Sequence, residues 1–166
     1  MVEVRECAEE EVGALEESMP SYGAALHAGF LQRQRAGEAT YLVAWAETRP
    51  VGSGLVRWAG HRDATSRAAM PDTPVISNLG VAPAWRGRGV GRELVAAAEQ
   101  RIRDRGYRQV SLAVGRDNDP AARLYARLGY VDTWLREVSR YDAPDASGTS
   151  YRIEEHNRLL RKRLGG

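Results

Sequence analysis

Cysteine is almost missing from this chain of 166 residues: Cys7 stands alone, which excludes an internal disulfide and any multi-cysteine metal cluster. Histidine is scarce and scattered, at 27, 61 and 156, with no pair at helical spacing, so a metal site is not expected. No apolar run approaches the ~20 residues needed to cross a bilayer. The opening Met1-Val-Glu-Val-Arg5 also lacks the basic-then-apolar layout of a secretion signal, so the cytoplasm is the expected address, away from membranes. An excess of one charge is missing too. The 24 basic residues face 22 acidic ones, a formal balance of +2 that is too mild to argue for nucleic acid as a partner. Lysine is reduced to Lys162, the other basic residues being arginine. Neither the Gly-Lys-Ser/Thr ending of a P-loop nor the Gly-x-Gly-x-x-Gly spacing of a dinucleotide fold occurs.

What remains is ordinary globular composition, 43% hydrophobic, 28% charged and 7% aromatic, in a length suited to one domain over residues 1–166 with a real core. Val2 to Arg5 reads as a strand, followed by helical stretches over 9–17 and 24–35 with a loop at 18–23 between them. Tyr41–Ala46 and Val51–Trp58 flank a turn at Thr48-Arg-Pro50, a hairpin signal. Residues 59–74 read as a polar connection, and Gln109–Val114 as an alternating strand. After Tyr130, strands over 131–140 and 150–160 enclose a loop at 142–148. The fold class is therefore α/β, of the mixed α+β kind.

The middle of the chain carries the chemistry. Pro74-Val-Ile-Ser-Asn-Leu-Gly-Val81 is an apolar, partly β-branched strand. From Val90 to Arg105 the pattern predicts a helix, with Leu94, Ala98 and Ile102 on one stripe and Gly106 as its stop. Between them Arg86-Gly-Arg-Gly-Val-Gly91 places glycine at 87, 89 and 91. Glycine lets a backbone approach an anion without a Cβ in the way, and the free N–H groups and dipole of a helix start point at it. Arg86, Arg88 and Arg92 add positive charge at the same spot, so a diphosphate would fit. Further on, Asn118 or Asp119 can cap a helix whose first position is Pro120 and which ends at Leu128 before Gly129. Its buried face is expected to be Ala121, Leu124 and Leu128, with Tyr125 beside it.

At these residues the chain resembles the GNAT superfamily of N-acetyltransferases. The family signature Gln/Arg-x-x-Gly-x-Gly/Ala is matched by Arg86-Gly-Arg-Gly89-Val-Gly91 with its Val81-Ala-Pro83 lead-in, and a second motif by Asn118-Asp-Pro-Ala121-Ala-Arg-Leu124-Tyr125-Ala-Arg-Leu-Gly129-Tyr130. The resemblance implies the GNAT fold, a mixed central β-sheet of about six to seven strands flanked by helices on both faces, with the donor in a gap between two splayed parallel strands. It implies acetyl-CoA as the donor of an acetyl or other short acyl group, passed to a primary amine of a small molecule or peptide by direct attack on the thioester. It also suggests a homodimer through the last strands.

By position, the backbone of Arg86, Gly87, Arg88, Gly89, Val90, Gly91 and Arg92 would hold the pyrophosphate, main-chain groups at Leu79 and Val81 would pair with the pantetheine, and Asn118 would contact the same arm. Tyr125 matches the tyrosine that protonates the leaving thiolate. Many relatives carry a glutamate on the motif strand as base. Here that strand offers only Ser77 and Asn78, so deprotonation through water beside them, or by Glu154, Glu155 or His156, is expected. The acceptor would enter between the loops 18–23 and 141–149, where Tyr22, Trp58, Trp134 and Tyr141 are candidate walls and Asp142 and Asp145 could attract a cation. The missing strand carboxylate leaves a second reading open: a module that binds acyl-CoA without turnover.

Overall fold

The computed structural model describes residues 1–165 as a seven-stranded sheet with helices on both faces. In chain order the elements are β1 Glu3–Glu6, α1 Val12–Ser18, α2 Leu26–Arg35, β2 Ala39–Ala46, β3 Arg49–Arg57, α3 Ala64–Ala69, β4 Val75–Val81, α4 Val90–Asp104, β5 Gln109–Gly115, α5 Asp119–Arg127, β6 Val131–Pro144 and β7 Ser150–Arg163. Strand order is β1-β2-β3-β4-β5-β7-β6, all neighbours antiparallel except β4 and β5. That one parallel pair follows from the crossover through α4, since a strand returning to the same sheet by way of a helix enters in the same direction.

Two cores form on the two faces. Against one face, α4 lays down Val90, Leu94, Val95, Ala98 and Ile102 over Ile76, Val110 and Leu112. Burying each Val, Leu or Ile contributes about 1.5–3 kcal/mol, so this stripe is the largest apolar term holding the helix to the sheet. On the other face Leu15 and Leu31 of the first two helices cover Tyr41, Val43 and Leu55. The His27 ring ties this layer together, with Nδ1 2.6 Å from the Tyr41 hydroxyl and Nε2 2.7 Å from the Met19 carbonyl.

Gly52 sets how closely α4 approaches. A Cβ there would stand 2.8 Å from Val90 Cγ1 and 3.1 Å from the Gly80 carbonyl oxygen, and the carbonyl belongs to a paired strand that cannot yield. Gly52→Ala is therefore expected to destabilise the fold by about 1–3 kcal/mol, the usual range for overpacking. A thermal melt reads this as a loss of several degrees. An unchanged melting temperature would show that the helix start is not held against this glycine.

Several expectations are corrected. The connection at 59–74 contains α3, because Asp63 accepts hydrogen bonds from the Ser66 N–H at 2.8 Å and the Ser66 hydroxyl at 2.9 Å and so nucleates a turn. The helical stretch at 9–17 begins as a 3-10 turn over Glu9–Glu11. In α5 it is Tyr125 that is buried, while Ala121, Leu124 and Leu128 are only partly covered, since the helix rolls its tyrosine against Tyr130. Strands β6 and β7 outrun their predicted ends, and Asp142 sits within β6, where it pairs with Arg152 rather than lying in a loop.

Candidate active site

Strands β4 and β5 are hydrogen-bonded partners at only two positions, Val75 with Ser111 and Ile76 with Leu112. Beyond them the strands part. The cause is local: between Ser53 and Leu55 β3 advances two residues while β4 advances three, from Ser77 to Gly80. Asn78 takes the surplus in the left-handed region, with φ of 53°, a conformation that Asn tolerates better than most residues. The resulting bulge turns β4 away from β5, and Leu79 packs over Gly54, where no Cβ stands in its way.

The open end of β4 runs directly into the phosphate-type turn. Ala82 hydrogen-bonds back to the Val51 carbonyl at 2.8 Å, and a 3-10 turn over Pro83–Trp85 leads to the glycines. Gly87 and Gly89 have φ of 75° and 85°, positions where any Cβ is strained. Gly89 is the N-cap of α4, and no side chain caps this helix, so its first N–H groups remain free for a ligand. The arginines stay local: Arg86 Nε donates to the Val81 carbonyl at 3.3 Å, Arg88 lies 5.0 Å over the Trp85 ring, and Arg92 approaches Glu93 at 3.8 Å. All are held weakly enough to reorient toward an anion.

The third wall is α5. A Cβ on Gly91 would lie 3.6 Å from Leu124 Cδ2, so the start of α4 abuts α5, and Tyr125 shares the core of Val90 and Leu94. Asn118 caps α5, accepting from the Ala121 N–H at 3.3 Å. Tyr125 is 9% exposed; burial alone raises its pKa above the ordinary phenol value, so the hydroxyl keeps its proton at neutral pH. The structure thus runs the β4 end into the glycine turn and sets α5 against the start of α4, with Asn118 at the head of α5 and Tyr125 buried in the core that Val90 and Leu94 share.

The structure also locates the other expected residues. Trp58 does not stand beside the glycine turn. Its indole N–H donates to Thr40 Oγ1 at 3.1 Å, its ring stacks on Tyr107, and Arg105 lies 3.7 Å over it, at the far end of α4. A helix of 15 residues is about 22 Å long, which sets the distance from the glycine turn. Tyr141 sits on the β6–β7 hairpin, its hydroxyl bonded to Glu155 at 2.6 Å, and Tyr22 stands exposed in the loop before α2. Glu154 is taken up by Arg140 at 3.0 Å and His156 at 2.8 Å.

Two residues that the sequence did not single out share the opposite sheet face. His61 is 5% exposed, with Nε2 2.8 Å from Ser111 Oγ and Nδ1 3.6 Å from Glu137 Oε2. Oε2 of Glu137 and Oγ of Ser77 are both buried without a hydrogen-bond partner among the described residues. Glu137 is one of several charges in the alternating strand Arg-Glu-Val-Ser-Arg, and nothing in that pattern separates it from a solvated residue.

A mixed sheet splayed at its one parallel pair, with an uncapped glycine-led helix at the mouth, defines the acyl-CoA-dependent acyltransferase class of fold. Residues 4–130 match the model described as the Acetyltransferase (GNAT) family, and the chain belongs to that family. Mycothiol acetyltransferase of Nocardiopsis dassonvillei is 36% identical over 104 residues, covering 60% of this chain and 28% of that protein. The enzyme of the same name from Cellulomonas flavigena is 35% identical over 124 residues, covering 75% and 32%. The chain thus spans about a third or less of these relatives. Among solved structures, a ribosomal-protein-alanine N-acetyltransferase of Brucella melitensis superposes with a TM-score of 0.70 at 19% identity, covering 98% and 99% of the two chains. PaiA N-acetyltransferase of Thermoplasma acidophilum, solved with coenzyme A, gives 0.66 at 16%, covering 99% of each. At these identities the structural likeness is one of fold. No helix of the described residues is long and apolar enough to cross a membrane, and they gather no group of three or more metal-binding side chains.

Proposed function

We propose that this chain is a cytoplasmic N-acetyltransferase that passes the acetyl group of acetyl-CoA to a primary amine of a small molecule or peptide, by direct attack of the amine on the thioester. The observation that carries this reading is the parting of β4 from β5 after two paired positions, directly beside an uncapped helix start. Main-chain groups at Leu79 and Val81, the Val81 carbonyl held only by the Arg86 side chain at 3.3 Å, suit a pantetheine laid alongside β4 as an added strand. Backbone N–H groups from Gly87 to Arg92 suit the pyrophosphate, with Arg86, Arg88 and Arg92 free to neutralise it. Asn118 keeps its amide N–H group available to the same arm, since its cap uses only the carbonyl oxygen. Tyr125 gives its hydroxyl proton to the departing thiolate. Ser77 and Asn78 are neutral and can orient an acceptor or a water, but neither takes a proton from an ammonium.

A ligand that binds only the folded state stabilises it by about 2.7 kcal/mol at 100 times its Kd. Acetyl-CoA should therefore raise the melting temperature by several degrees, and free thiol should appear when an amine of the right class is added from a panel. Absence of both effects would end this reading. A raised melting temperature with no thiol release from any amine would favour the acyl-CoA sensor.

A further inference from the structure

A base is missing from β4, and the sheet itself shows where one stands. In paired antiparallel strands, opposed residues share a face, as do alternate residues along one strand. Gly115 opposes Asn157, and Asn157 opposes Glu137. Ala113, two residues before Gly115, is exposed although β5 is an interior strand, so this face lies open beside the splay. Ser111 and, through the pairing of Ser111 with Val75, Ser77 belong to the same face. Glu137 therefore looks over the uncovered floor next to the point where β4 and β5 separate.

Its hydrogen bonding is unfinished. The Ser111 hydroxyl donates to the Leu160 carbonyl at 2.6 Å, so it must accept from His61 Nε2–H at 2.8 Å. That fixes the tautomer: in the neutral ring Nδ1 carries a lone pair, and this lone pair faces Glu137 Oε2 at 3.6 Å. Two acceptors thus face each other with no proton between them, and Oε2 has no other partner among the described residues. Adding one proton to the carboxylate turns this contact into an Oε2–H···Nδ1 hydrogen bond. The Glu137 side chain keeps 16% exposure, enough for a proton to arrive from the open face.

We propose that Glu137 is the residue that takes the proton from the acceptor ammonium, and that His61 is the positioning residue that receives the resulting carboxyl hydrogen. This rests on the acetyltransferase reading above and names the acceptor as a cationic primary amine that enters over Ala113. An N–H bond of the ammonium breaks as an O–H bond forms on the accessible oxygen of Glu137, since Oε2 is buried, and rotation of the carboxyl then presents that hydrogen to His61 Nδ1. The freed lone pair attacks the thioester carbon, the C–S bond breaks, and the thiolate takes the Tyr125 proton. The new amide nitrogen sheds its second proton to water, from which Tyr125 is restored, and Glu137 returns its proton to solvent.

The charged surroundings agree. Burial and Asp63 push the Glu137 carboxyl above the usual carboxylate range, against the opposing pull of Arg57 and Arg62. Burial, helped by Arg57, holds His61 down at about 4, so the ring is neutral and its Nδ1 acceptor is present at neutral pH. A base works only when ionised, so activity should fall as the pH drops through the raised Glu137 pKa.

The test joins turnover with a titration that needs no acceptor. Glu137→Gln should lower kcat about 100-fold with the first amine of the panel that releases thiol, and should erase the acid limb of the pH profile. The rise in melting temperature caused by acetyl-CoA should stay at the wild-type value. Carbon-13 NMR of the wild-type Glu137 carboxyl should show it titrating above the ordinary range. His61→Gln keeps a donor in place of Nε2 but removes the Nδ1 acceptor, so both the carboxyl titration and the acid limb should move down together. Wild-type rate and profile in Glu137→Gln would overturn the proposal and leave the acetyltransferase reading intact. So would a Glu137 carboxyl titrating in the ordinary range, which decides the matter even if the variant fails to fold. An acid limb unmoved in His61→Gln would remove His61 from the proposal. A wild-type protein that neither binds acetyl-CoA nor releases thiol would instead overturn the reading beneath it.

Discussion

Replacing Tyr125 with phenylalanine should lower kcat on the order of 100-fold while leaving the affinity for acetyl-CoA and the thermal stability close to wild type. General-acid assistance contributes about 10² to 10⁴ in rate. The low end is expected here because burial raises the Tyr125 phenol above its ordinary value and above that of a thiol, so complete transfer to the thiolate is uphill. Much of the benefit then comes from the hydrogen bond that forms as sulfur gains charge, a contact absent in the ground state. Phenylalanine keeps the ring, its edge-on packing against Tyr130 at 6.1 Å, and the burial of the helix face. Steady-state kinetics together with melting curves in the presence of acetyl-CoA separate the two effects. A loss in binding without a loss in kcat would show that the hydroxyl acts on the donor and not on the leaving group.

The second large effect concerns stability. The sole lysine of the chain, Lys162, meets Glu99 at 2.7 and 3.2 Å, and the Glu99 side chain is only 5% exposed. Tyr130 donates to the same carboxylate at 3.2 Å, and Arg103 stands 3.7 Å away. Lys162→Met leaves a buried carboxylate short of its closest counter-charge, and such losses cost about 3–5 kcal/mol. With Arg103 and Tyr130 still present, about 3 kcal/mol is expected, or roughly 6–12 °C in melting temperature for a chain of this size. Combining it with Glu99→Leu removes the stranded charge, and the double variant should recover most of the loss. Melts of the two single variants and the double close this cycle. A double variant no more stable than Lys162→Met would mean that packing around the lysine stem, and not the ion pair, holds α4 to β7.

The sequence was most legible where a few neighbouring residues carry the whole signal. The glycine turn, the start of α4 at Val90 and the cap at Asn118 are local, and each stands where the pattern placed it. The buried strand before the turn is equally plain, and so is the crossover that makes β4 and β5 parallel. Less legible were features set by contacts between elements. Trp58 looks from its hairpin like a cleft residue, yet it belongs to a stack with Tyr107 and Arg105 because β3 carries it to the far end of the sheet. Tyr125 was expected beside the buried face of α5, but packing against Tyr130 makes it that face.

Glycine spacing, helix caps and apolar period by themselves determined the class of fold, the glycine turn and the tyrosine helix, since backbone geometry over a handful of residues is written in those residues. Only the tertiary structure decided the bulge at Asn78, the placement of Lys162 under α4, and the meeting of His61 with Glu137 across Ser111. Each of these depends on strand register. A shift of one residue in β6 or β7 would turn Glu137 to the other face of the sheet, and no local pattern in an alternating, highly charged strand specifies which face that is.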